Sequence, residues 1–95
     1  MIGLGSPIGH ETLTISDSAT TLTASAYTSA NLAFIMVETA SIRFWLDDSS
    51  DPTASSGILL EAGDVLELQS SSEIGGFNAI AVSDDATIHV VYSRT

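Results

Sequence analysis

Residues 86–93 keep a period of two without a slip. Ala86, Ile88, Val90 and Tyr92 fall on one side, with Thr87, His89, Val91 and Ser93 on the other. Such alternation sends one row of side chains to a core and the other toward solvent, and it commits the segment to a sheet. The same period recurs along the chain. Leu13 and Ile15 oppose Thr12 and Thr14, and Thr20-Thr21-Leu22-Thr23 resumes the run after Ser16-Asp17-Ser18. Ile42, Phe44 and Leu46 oppose Arg43 and Trp45, and Leu66 and Leu68 point inward. Residues 33–37 (Ala-Phe-Ile-Met-Val) are apolar on both sides, as in a central strand covered on each face. Residues 77–82 add a further short strand before a Ser83-Asp84-Asp85 turn.

Between these runs the punctuation is that of turns. Residues 48–57 form a loop rich in Asp, Ser, Pro and Gly, and Gln69–Gly76 reads as a second polar loop, with Gly75-Gly76 a turn. Glu61-Ala62-Gly63 separates two apolar runs and reads as the connection of a hairpin. The Ala-rich stretch 24–36 offers either a short helix or the approach to the next strand. Ser and Thr supply 25 of the 95 residues, Lys is absent and Gln occurs once, a composition that favours pleated structure over helix. The expectation is all-β: a small single-domain β-sandwich or jelly-roll-like barrel of about eight short antiparallel strands. It occupies residues 11–95 behind an N-terminal arm, residues 1–10.

A chain of this mass hides about two-thirds of its surface on folding, enough for one modest core. With no cysteine, neither disulfides nor thiolate metal sites supplement that core. No apolar run approaches the ~20 residues of a membrane helix. The opening MIGLGSPIGH, without a basic residue and broken by Gly3, Gly5 and Pro7, does not read as a signal peptide. Twelve carboxylates face two arginines, a formal charge of −10. That balance argues against nucleic acid and anionic membranes as partners, since both require several cationic side chains. It also makes copies of the chain repel one another, so self-assembly requires apolar contact, backbone pairing or bound cations.

Residues able to carry chemistry are sparse. His10 and His89 are the candidate bases; one lies in the expected arm and the other on the outward row of the last strand, and no nucleophile-seating motif accompanies them. The reading is therefore non-enzymatic. No cofactor is expected. The one metal candidate is calcium on the oxygen-rich loop Asp47, Asp48 and Asp51, against the alternative of a solvated turn. For contact with other proteins, Arg43 and Trp45 stand together on an outward face, of the residue types enriched at interface centres. Either they anchor an interface, which His89 and Val91 extend, or a neighbouring loop or sheet covers Trp45 as ordinary core. Met1, Ile2 and Leu4 in the arm could add a strand or hook to a neighbour, the alternative being simple disorder.

From Tyr27 to Tyr92, about two-thirds of the chain, the sequence resembles a family of small bacteriophage structural proteins. The resemblance is carried in order by Glu38-Thr39-Ala40, Ile42-Arg43-Phe44, Asp51-Pro52-Thr53, Gly57, Leu59-Leu60, Ala62-Gly63-Asp64, Phe77 and Ala79-Ile80. It departs at Trp45, where the family carries Arg, and at Asp48, where it carries Gly. The resemblance implies a virion component made in the host bacterial cytoplasm. Its first form is a capsid decoration or cement protein that binds the major capsid protein from outside, often as a homotrimer at threefold positions. The alternative is a tail or head–tail module or a host-surface glycan binder with Trp45 as stacking platform.

Overall fold

The computed structural model describes residues 6–47 and 50–94. Eight strands and one short helix follow in order: β1 (Ser6–Ile15), β2 (Thr20–Thr21), β3 (Leu32–Glu38), β4 (Ile42–Trp45), β5 (Ile58–Leu60), β6 (Val65–Leu68), α1 (Ser71–Gly76), β7 (Asn78–Ala81) and β8 (Ala86–Arg94). They form two antiparallel four-stranded sheets, β1-β8-β3-β6 and β2-β7-β4-β5. The pairings nest, with β1 on β8, β2 on β7, β3 on β6 and β4 on β5. This is the order produced by rolling one long hairpin of four strand pairs into two layers, the jelly roll. The all-β sandwich read from alternation is the observed architecture.

The inward rows meet in one core containing Ile15, Ile35, Val37, Ile42, Phe44, Leu68, Phe77, Ile88, Val90 and Tyr92, all nearly or fully buried. Two ring pairs, Phe44–Phe77 stacked at 5.5 Å and Tyr27–Tyr92 tilted at 6.0 Å, fill it where offset ring contact is favourable. The accessible surface is 5007 Å², matching the ~5,000 Å² that mass scaling gives a self-contained monomer. The chain closes its own core.

Three elements differ from the sequence reading. The first strand begins at Ser6, so residues 6–10 are paired with β8 and belong to the sheet, not to an arm ending at residue 10. Met1, Ile2 and Leu4 lie outside the described residues. The segments flanking Glu61-Ala62-Gly63 are not a hairpin, because β5 pairs with β4 and β6 with β3. The turn carries the chain from one sheet to the other. Gly63 takes a φ of 94°, its N–H donates to the Val37 carbonyl at 2.7 Å, and Val37 N–H donates to the Asp64 carbonyl at 3.0 Å. The same glycine-bearing chemistry serves either connection, and only these bonds to β3 distinguish them.

The supposed polar loop 69–76 contains α1. Ser70 caps it, its Oγ accepting from Glu73 N–H at 3.1 Å, while Glu73 Oε1 accepts from Gln69 N–H at 2.7 Å. Ile74, 1% exposed, pins the helix to the core. Gly76 lets it pass the β4–β5 loop, because a Cβ there would sit 1.9 Å from the Leu46 carbonyl oxygen. The Ala-rich stretch holds a single 3-10 turn, Ala24–Ala26, before β3.

Three of the four sheet edges, β1, β2 and β5, are guarded. β2 and β5 span two and three residues, too short to template much pairing. β1, at ten residues, is the long edge, but Pro7 lacks an N–H, the register slips between Pro7 and Gly9, and Glu11 points inward opposite buried Val90. A proline, a bulge and an inward charge each discourage addition of a further strand.

Candidate interaction surface

Register defines the outer face of the β1-β8-β3-β6 sheet, since directly opposed residues share a side. One row is Glu67, Phe34, Val91 and His10, and the next is Val65, Met36, His89 and Thr12. Phe34, Met36 and Val91 are partly exposed, as is Leu32 at the end of β3, and Val65 is 48% exposed. Adjacent apolar side chains on three strands thus make one strip across the middle of the sheet. Residues 33–37 were expected to be covered on both sides; within this chain only Ala33, Ile35 and Val37 are buried.

Polar groups border the strip and are held in place. His89 Nε2 lies 3.0 Å from Glu38 Oε1, and its Nδ1 lies 3.2 Å from Thr12 Oγ1. Nε2–H can donate to the carboxylate, and the Thr12 hydroxyl can donate to Nδ1 or accept from it. Glu67 Oε1 accepts from Gln69 Nε2 at 3.2 Å. Hydroxyl, imidazole and carboxylate are therefore in line, the order that activates a nucleophile elsewhere. Here the imidazole is 43% exposed on an open sheet. The arrangement fixes the ring between three strands.

Arg43 and Trp45 lie on the outer face of the other sheet, in register with Ile80 and Asn78. The interface patch expected to join them to His89 and Val91 is thus divided between opposite faces of the sandwich. Moreover, the chain after β4 folds back over that second face. Arg43 Nε donates to the Ala54 carbonyl at 3.1 Å and Nη1 to the Gly57 carbonyl at 2.8 Å. Asn78 Nδ2 donates to Asp51 Oδ1 at 2.8 Å, and Pro52 is buried. Arg43 therefore latches a loop, and Trp45, partly buried, stands beside it.

Of the calcium candidates, Asp48 lies outside the described residues, Asp51 is bonded to Asn78, and Asp47 is exposed. No group of three His, Cys, Asp or Glu side chains converges to hold a metal among the described residues.

A second polar cluster sits at the β1 edge. The Tyr92 phenol donates to Glu11 Oε2, which also accepts from Thr23 N–H at 3.1 Å. Burial, then the bond to Glu11, pushes the Tyr92 pKa far up. Burial acts to raise the pKa of Glu11, but hydrogen bonds from Thr23 and Tyr92 outweigh it and hold the carboxyl below the ordinary range.

Phe34, Met36, Val65 and Glu67 were not singled out from the sequence. Their alternation was visible, but their grouping depends on β3 lying between β8 and β6, which no local pattern specifies. No family model, no curated protein and no solved structure matches the chain.

Proposed function

We propose that this chain is a non-catalytic bacteriophage virion protein that attaches to the outside of the head shell and stabilises it by contact with the major capsid protein. The observation that carries the reading is the apolar strip of partly exposed Phe34, Met36 and Val91 with exposed Val65, on a molecule with one buried core. A contiguous apolar patch with a polar border is the usual mark of a protein-contact site. The motif series from Glu38 to Ile80, which resembles phage structural proteins, supplies the virion context. The jelly-roll order is shared by viral coat and lectin domains, a likeness of fold alone.

The glycan-binding alternative asks for an open aromatic platform. Trp45 is half-buried on the outer face of the other sheet, and among the described residues no cluster of exposed aromatic rings accompanies it. Counting copies per particle and locating them by electron microscopy tests the proposal. Several hundred copies in icosahedral arrangement, with loss of head stability to heat when the protein is removed, is the expected result. A dozen or fewer copies at one vertex, or absence from purified particles, overturns it.

A further inference from the structure

Resting on that reading, we infer that the outer face of the β1-β8-β3-β6 sheet is the docking face, and that its partner is a different protein presenting an apolar patch bordered by Lys or Arg. A second copy meeting it face to face about a twofold axis does not fit. The face bears two carboxylates, Glu38 and Glu67, and no Lys or Arg. Of the chain's two arginines, Arg43 is on the opposite sheet, bound to Ala54 and Gly57, and Arg94 closes β8 at the end of this sheet, beyond the two rows. A twofold pairing through this face would bring four carboxylates together with no Lys or Arg in the two rows of either copy, on chains that each carry a formal charge of −10. Like charges brought together at an interface cost free energy, whereas opposed potentials both steer encounter and fix register.

The face is also preorganised. Glu38 is held by His89, His89 by Thr12, and Glu67 by Gln69. Less side-chain freedom is therefore lost when a partner is bound. The opposite sheet exposes Leu59, but the chain between β4 and β5, bonded to Arg43 and Asn78, occupies part of its outer face.

Rebinding of purified full-length protein to heads assembled without it, measured at several salt concentrations, separates the possibilities. Val65 is 48% exposed, so its replacement by a charged residue leaves the core intact. Val65→Lys places a cation on the face and weakens rebinding by about tenfold or more, whereas Val65→Glu weakens it much less. Glu67→Gln lowers affinity and flattens its salt dependence. Leu59→Ser, on the other sheet, binds as the wild type does, and thermal melts verify that each variant is folded. Equal losses for Val65→Lys and Val65→Glu overturn the cationic partner. Unchanged binding by both, with loss in Leu59→Ser, overturns the face while leaving shell attachment standing. A wild-type chain that sediments as a dimer, and becomes monomeric on Val65→Lys, shows that the second copy is the occupant. Failure of the wild-type protein to rebind removes shell attachment itself, and the inference with it.

Discussion

The Tyr92 phenol reaches across from β8 to donate to the Glu11 carboxylate on β1, joining residues 81 positions apart at the edge of the sandwich. The bond satisfies a hydroxyl that is fully buried at its ring. It also accounts for an acidic side chain on the inward row of an edge strand. Glu11→Ala leaves the phenol without its acceptor and is expected to lower unfolding free energy by about 1–3 kcal/mol in urea titrations. Tyr92→Phe removes the donor alone and costs less, because Glu11 keeps Thr23 and faces solvent on one side.

The same carboxylate confers a pH dependence of definite sign. Its folded pKa lies below its unfolded one, so its contribution is complete above the unfolded carboxylate value of roughly 4.3 and is lost as pH falls toward the folded value. Stability measured from neutral to acid pH should therefore fall more steeply in the wild type than in Glu11→Gln. Parallel curves would show that the carboxylate is not held by Thr23 and Tyr92.

Adjacent glycines in α1 should respond in opposite directions. Gly76→Ala drives a methyl into the Leu46 carbonyl, 1.9 Å away, and is expected to cost more than about 3 kcal/mol. Gly75→Ala meets nothing within 4 Å and should be neutral or stabilise by up to about 1 kcal/mol. Thermal melts of the two variants decide the point.

Thr39 is the one non-glycine residue with positive φ among the described residues, at 78°, an unusual backbone for a β-branched side chain. Its Oγ1 accepts from Thr87 N–H at 3.2 Å. Thr39→Asn, which tolerates this conformation and keeps an acceptor, should stabilise by about 1 kcal/mol. Thr39→Val, retaining the strain and losing the acceptor, should destabilise by a similar amount, about 1 kcal/mol.

Arg43→Lys should loosen the segment between β4 and β5. A lysine has one ammonium where the guanidinium offers Nε and Nη1 to two carbonyls. Limited proteolysis is expected to cut within residues 46–57 several-fold faster in the variant, with a loss of about 1–2 kcal/mol in global stability. An unchanged cutting pattern would show that Asn78 and Pro52 hold the loop unaided.

Much of the secondary structure was legible because alternation is a property of neighbours. The inward rows of β4 and β8, and partly buried Leu13 with buried Ile15 at the end of β1, fall where the period placed them. α1 was legible too but read as loop: Ser70 three residues before Glu73 is a capping signal, and the surrounding serines and glycines obscured it. On the candidate surface, His89 and Val91 were found on the outward row of β8. Arg43 and Trp45 were placed outward correctly but joined to the wrong neighbours.

Residue order along the chain was sufficient to specify strands, turns, an apolar interior and a strongly anionic exterior, since each follows from side chains within a few positions of one another. Whether Glu61-Ala62-Gly63 turns back or crosses over, which strip Phe34 and Val91 build together, and which acid receives the Tyr92 proton were settled by folding. Those relationships join residues tens of positions apart. They arise only when two sheets close on a common core and burial obliges each polar group to find a partner.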